Sequence, residues 1–131
     1  MMDLSDAGRT SMTLHEGDIY WLLPDPAEPD AGILHPHVVI QADAVTASGE
    51  PAVLACALTT NLKRVSLPGN VLLDLGEANL PKASVVEVSK DILLPTRRLG
   101  AFIGTVSAQR LAQIRAGIRF VQTSFSGSQS D

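Results

Sequence analysis

Two histidines and a short run of hydroxyl and amide side chains are the residues of this 131-residue chain whose types and spacing could do chemistry. His35 and His37 bracket Pro36. Thr59, Thr60 and Asn61 follow the apolar run AVLACAL, with Lys63 and Arg64 just beyond. An imidazole can take or give a proton near neutral pH. Hydroxyl and amide groups can hydrogen-bond phosphate oxygens, and Lys or Arg supplies charge. If HVVIQ and AVLACAL are neighbouring antiparallel strands, the start of the first lies beside the end of the second. The groups would then form one cluster able to hold a phosphodiester and move protons. The same residues also describe a turn at His35-Pro36 and a capped strand end at Thr59-Thr60, and the residue types alone favour that plainer reading.

Other chemistries lack their signatures. No carboxylate or thiol stands at metal-ligand spacing from the His35/His37 pair, and His15 is far from it in sequence, so neither a metal nor a cofactor is expected. A glycine-rich phosphate loop, a nucleophile elbow and a CxxC pair are all missing. Cys56 is the single cysteine and sits inside an apolar run. It reads as a buried structural thiol, and a chain with no intrachain disulfide fits a reducing cytoplasm. No apolar stretch approaches the roughly 20 residues needed to span a bilayer, so no membrane partner is expected. The N-terminus has no basic flank followed by an apolar stretch, and so does not read as a secretory signal.

The net charge of −4 argues weakly against a nucleic-acid partner, but its distribution says more. Residues 1–62 carry nine acids and one base, whereas residues 63–131 carry five acids and nine bases. The second half therefore has the cations for a basic face, although ordinary solvated surface is the simpler account.

The elements that must position these groups read as several short strands followed by one helix. Residues 1–15 are polar and aperiodic and are expected to form a flexible tail. Gly17–Leu23 is a first strand with Ile19, Trp21 and Leu23 on one face. Pro24, Pro26 and Pro29 then impose a long acidic loop, PDPAEPDAGILHP. His37–Gln41 and Ala52–Leu58 are nearly all apolar, as strands at the centre of a closed sheet should be. Val71–Leu73 and Ser84–Val88 follow, with weaker extended pieces at Ile92–Leu94 and Phe102–Ile103. Ser107 is a candidate N-cap. Leu111, Ile114, Ile118 and Val121 recur at helical spacing, which predicts an amphipathic helix over 108–122. Residues 123–131 are Ser/Gly-rich and expected to be disordered. The order implies one mainly β domain over 16–122, a small strongly bent sheet or barrel with a helix packed on it.

Several pieces, in this order, resemble the PemK/MazF family of toxin ribonucleases. They are GDIYWLLPDP, HPHVVIQAD, VLACALTTN, and the stretch LPKASVVEVSKDILLPTRRLGAFIGTVSAQRLAQIRAGIRFV. The resemblance implies an SH3-like small barrel with a C-terminal helix, acting as a homodimer. It implies metal-independent cleavage of single-stranded RNA and an antitoxin that binds the toxin and blocks its RNA groove. By resemblance Thr59 contacts the scissile phosphate, Asn61 binds phosphate or a base edge, and Trp21 matches the first-strand tryptophan, for which a place in the barrel core is favoured over stacking on a base. The chain departs from the family at His35, where typical members carry arginine before the proline. Two outcomes are open. His35, with His37, takes over proton transfer while Lys63 or Arg64 supplies charge; or catalysis is weak or lost and the fold serves binding alone. A third possibility is a topoisomerase-inhibiting toxin of the same fold, against which the threonine at position 59 speaks.

Overall fold

The computed structural model describes residues 13–29, 32 and 34–130. Its strands are β1 (Asp18–Leu22), β2 (His37–Val45), β3 (Pro51–Thr59), β4 (Val71–Leu73), β5 (Ser84–Pro95) and β6 (Leu99–Thr105). They form one antiparallel sheet in the order β4-β5-β3-β2-β1-β6. Short 3₁₀ turns occupy Leu62–Ser66, Glu77–Asn79 and Thr96–Arg98, and the helix α1 (Ala108–Ser130) ends the fold.

The central strands are apolar at nearly every position because both of their faces are covered. Val38 and Ile40 of β2, with Cys56 and Leu58 of β3, face a core that Ile114 and Ile118 of α1 complete. The alternate residues Val39, Val53 and Ala55 join Tyr20 and Leu94 in a second cluster on the opposite face. Each fully buried Val, Leu or Ile contributes about 1.5–3 kcal/mol relative to exposure, so the two clusters hold β2 and β3 firmly. Cys56 is fully buried, and burial pushes its thiol up to about 12. It is an inert packing residue, as expected.

The pieces expected at Ser84–Val88 and Ile92–Leu94 are one strand. Between them the pairing of β3 with β5 shifts from Leu58↔Val86 to Cys56↔Asp91. The residues between form a bulge, which bends the strand and locally increases its twist. The sheet bends but does not close. Its edges are β4, only three residues long, and β6. The second 3₁₀ turn packs against β6, where Asn79 Nδ2 donates to the Ile103 carbonyl at 2.9 Å.

One expectation about the core is corrected. Trp21 is 41% exposed, and Tyr20 is the buried aromatic of β1. Asp18, Ile19 and Tyr20 are all buried, so β1 does not alternate simply between core and solvent. The carboxylate of Asp18 accepts hydrogen bonds from the Thr105 hydroxyl at 2.8 Å and the His15 amide at 3.1 Å, which makes its burial tolerable. Trp21 lies further along, where the pairing of β1 with β6 shifts register and the strand leaves the core.

Ser107 caps α1 as expected, its Oγ accepting the Arg110 amide at 3.1 Å. Leu111, Ile114, Ile118 and Val121 face the core. The helix continues past Gln122, where the apolar pattern ends, to Ser130. Of the expected N-terminal tail, residues 1–12 lie outside the described residues; Leu14 packs on the second cluster. Asp30, Ala31 and Ile33 of the acidic loop also lie outside them.

The helix approaches the β-layer most closely where Gly117 meets Gly69. A Cβ at 69 would stand 2.8 Å from the Gly117 carbonyl oxygen, and a Cβ at 117 would overlap the Gly69 carbonyl. Alanine at 117 would gain about 1 kcal/mol of helix propensity, less than the roughly 1–3 kcal/mol that overpacking against fixed backbone costs. Gly117→Ala is therefore expected to destabilise the fold by up to about 2 kcal/mol net, read as a lower urea midpoint at unchanged slope. A raised midpoint would show that the helix does not dock here.

Candidate active site at the β2–β3 corner

β2 begins where β3 ends. Their register pairs His37 with Ala57 and Val38 with Cys56. The Leu58 amide then donates to the Pro36 carbonyl at 2.9 Å, carrying the ladder one residue beyond β2. Pro36 has no amide to return the bond. The next step of the same register sets His35 opposite Thr59. Leu58 and Val38 face the helix-side core, so strand alternation turns Thr59, Ala57 and His37 to the other face.

After Thr59 the chain turns through side-chain bonds. Thr59 Oγ1 accepts the Asn61 amide at 3.1 Å, and Asn61 Oδ1 accepts the Lys63 amide at 3.2 Å, capping the first 3₁₀ turn. The capping reading is thus true of the geometry, and it leaves the chemistry free. A hydroxyl that accepts one bond still has its proton to donate, and an amide that accepts through oxygen keeps both N–H donors. Thr60, Asn61, Lys63 and Arg64 are exposed along this turn.

The two histidines differ. His35 is half-buried, whereas His37 is buried. His37 Nδ1 lies 3.0 Å from the His35 carbonyl oxygen. A carbonyl can only accept, so Nδ1 carries the proton and Nε2 has a lone pair. Burial pushes the His37 imidazole below its ordinary value, and the charges of His35 and Arg98 push the same way; the bond to the His35 carbonyl opposes them. His37 is held neutral and braces the backbone of His35.

Two charged residues at this corner were not singled out from sequence. Arg98, from the third 3₁₀ turn, is only 15% exposed along its side chain and near enough to act on His37. Its Nε donates to the Leu23 carbonyl at 3.0 Å, and it pairs with Asp25 at 3.5 Å, fixing the base of the acidic loop. Glu87 of β5 is a buried carboxylate paired with Arg64 at 3.6 Å and Lys90 at 3.5 Å. Neither left a sequence signal of its own, since Arg98 lies 63 positions after His35 and Glu87 sits among the valines of the short run SVVEV.

The basic half of the chain divides accordingly. Arg97, Arg110 and Arg115 are paired to Glu50, Glu77 and Glu16. Arg64, Lys90 and Arg98 are bonded or coupled to residues of this corner, and Lys63 stands on the turn beside it. Among the described residues, no three His, Cys, Asp or Glu side chains converge as a metal site would require, and no helix is long and apolar enough to cross a membrane.

Comparison with known proteins points to one family. Residues 15–121 match the model of the PemK-like, MazF-like toxins of type II toxin–antitoxin systems. The chain is 32% identical over 111 residues to a protein named Endoribonuclease MazF2 in Mycobacterium bovis, and equally so to one named Endoribonuclease MazF6 in Mycobacterium tuberculosis. These matches span 84% of this chain and 97% of each relative.

The lowered protonation of His37 has a measurable consequence. Below its unfolded-state value of about 6.5, the unfolded chain binds more protons there than the folded one, so stability rises with pH through this window. The contribution is complete above about pH 6.5 and is lost as pH falls through the lower folded-state value. Denaturation at pH 7.5 and 5.0 should show a larger loss of stability in the unaltered protein than in His37→Asn. Equal losses would count against a buried neutral His37.

Proposed function

The chain belongs to the family of PemK-like, MazF-like toxins of type II toxin–antitoxin systems, and from that premise we propose that it is a toxin endoribonuclease cutting single-stranded RNA without a metal cofactor. The observation that carries this reading is the juxtaposition of His35 with Thr59 across the β2–β3 ladder. The names of the two relatives, both endoribonucleases, support it. The acting unit is residues 16–122, in the cytoplasm as a homodimer, with a cognate antitoxin as its protein partner.

In such a reaction the ribose 2′-oxygen attacks the adjacent phosphorus and the bond from phosphorus to the 5′-oxygen breaks. The products are a cyclic phosphate and a free 5′-hydroxyl. Because the nucleophile is part of the substrate, no metal is needed to generate one from water. The step needs a proton for the leaving oxygen and donors for the charge that grows on the phosphate. We assign the proton to His35. Thr59 donates its hydroxyl to a phosphate oxygen while still accepting from the Asn61 amide. Thr60, Asn61, Lys63 and Arg64 line the exposed turn along which the strand passes. His37, buried and bonded to the His35 carbonyl, orients residue 35 and does not reach substrate.

Histidine at 35 changes the chemistry expected of the site. A guanidinium is always charged and can clamp phosphate in a bidentate fork, whereas an imidazole exchanges protons readily. With Arg98, Arg64 and Lys90 at this corner, constant charge and proton transfer are divided between different side chains.

The purified protein is expected to cleave a mixed single-stranded RNA in the presence of EDTA and leave cyclic phosphate ends. His35→Ala should slow cleavage roughly 10²–10⁴-fold, as loss of a positioned acid does. Thr59→Ala should slow it roughly 10²–10³-fold, as loss of a donor to developing charge does. Both variants should keep the far-UV circular dichroism of the unaltered protein. No cleavage across varied RNA sequences, with no growth arrest on expression, would refute the proposal.

A further inference from the structure

The proposed reaction also needs a base for the ribose 2′-hydroxyl, and neither His35 nor Thr59 has that role. Glu87 has the chemistry and the position. Its side chain is only 6% exposed, and its Oε1 faces Arg64 Nε at 3.6 Å and Lys90 Nζ at 3.5 Å. Both contacts are longer than a normal charge-assisted hydrogen bond. The two cations are themselves 44% and 53% exposed, so the carboxylate lies one side chain beneath the surface.

The strands aim Glu87 at the corner already described. Val86 and Val88 belong to the helix-side core, so the residue between them faces the other way, like Thr59 and His37. Leu58 pairs with Val86 and Thr59 with Val85, so Glu87 is the first residue of the β5 bulge that lies opposite Ala57. His37 and Ala57 are paired across β2 and β3, and Glu87 enters the β5 bulge on the far side of Ala57. His35 and Thr59 form the adjoining pair. An acid and a carboxylate therefore flank the threonine from different strands.

Resting on the ribonuclease reading above, we infer that Glu87 is the general base of this site. RNA phosphates offer Arg64 and Lys90 new anionic partners and draw them from Oε1, opening the carboxylate toward the ribose. Glu87 takes the 2′-hydroxyl proton as the bond from the 2′-oxygen to phosphorus forms. The bond from phosphorus to the 5′-oxygen breaks, its electron pair stays on that oxygen, and the His35 imidazolium protonates it. Glu87 then holds one proton and His35 has lost one, and exchange with water restores both.

Glu87→Gln keeps the shape of the side chain and removes its charge. In the full chain we expect kcat to fall at least 100-fold. Affinity for an uncleavable RNA with a 2′-deoxy sugar at the cut should be unchanged or tighter, because a negative charge has gone. If Glu87 only anchored Arg64 and Lys90, RNA binding would weaken while kcat survived, and that result would overturn the assignment. A second substrate separates base from acid. Sulfur in place of the bridging 5′-oxygen leaves without a proton, so it should restore His35→Ala and leave Glu87→Gln slow; recovery of Glu87→Gln on it would also overturn the assignment. Should Glu87→Gln fail to fold, Glu87→Asp retains the charge but withdraws it by one methylene. Its kcat should fall at least 10-fold at unchanged affinity, and an unchanged kcat would refute the role. Cleavage by both the unaltered and the Glu87→Gln chains sinks only this inference. Absence of cleavage by the unaltered chain sinks the ribonuclease reading, and this one with it.

Discussion

The hydrogen bond from the Leu58 amide to the Pro36 carbonyl, 2.9 Å long, extends the β2–β3 ladder past the first residue of β2. It holds a segment that proline would otherwise leave outside the sheet, and it brings His35 level with Thr59. The register behind it is not free to slip. Val38 and Ile40 fill one cluster and Val39 the other, with Cys56 and Leu58 opposed to Val53 and Ala55 in the same way on β3. A one-residue slip would exchange the two faces of a strand. It would turn His37 into the helix-side core and Val38 out of it. Apolar packing on two sides therefore sets the position of polar groups at one end.

Electrostatics act on this frame in two distinct ways. Pairs such as Arg110 with Glu77 tie elements together: Arg110 donates to Glu77 through Nε at 2.7 Å and another nitrogen at 3.0 Å, fastening α1 to the second 3₁₀ turn. Hydrogen bonds from that guanidinium hold the Glu77 carboxyl below its usual range. At the β2–β3 corner the cations are instead longer-range partners of a single buried carboxylate and a neutral imidazole. Bidentate pairs are geometrically specific, whereas contacts of 3.5–3.6 Å exchange more readily for a competing anion. Arg64 and Lys90 are thus less committed to their carboxylate than Arg110 is to Glu77.

Much of this was legible in the sequence. Strands β2, β3 and β4 and the helix stripe follow from apolar runs and 3.6-residue spacing, signals that local chemistry writes directly. The Ser107 cap and the turn after Thr59 were readable for the same reason. Trp21 escapes a core placement because alternation presumes one wet face, and Asp18–Tyr20 of β1 have none. The two pieces of β5 looked separate because Ser89, Lys90 and Asp91 interrupt the apolar pattern; they mark a bulge, and pairing partners decide whether a bulge ends a strand. Closure of the sheet was likewise beyond reach, since it depends on edge strands that share no sequence pattern.

For the site itself, the chain's own order of residues determined that an imidazole precedes Pro36, that hydroxyl and amide groups follow an apolar strand, and that bases gather in the second half. These are facts of composition and spacing. Folding decided which histidine is buried, which bases are already paired to acids, and that Arg98 and Glu87 join the corner from distant positions. The reason is physical. Charge and proton affinity depend on neighbours within a few ångströms and on exclusion of water, and those neighbours come from strands that only the register of the sheet brings together.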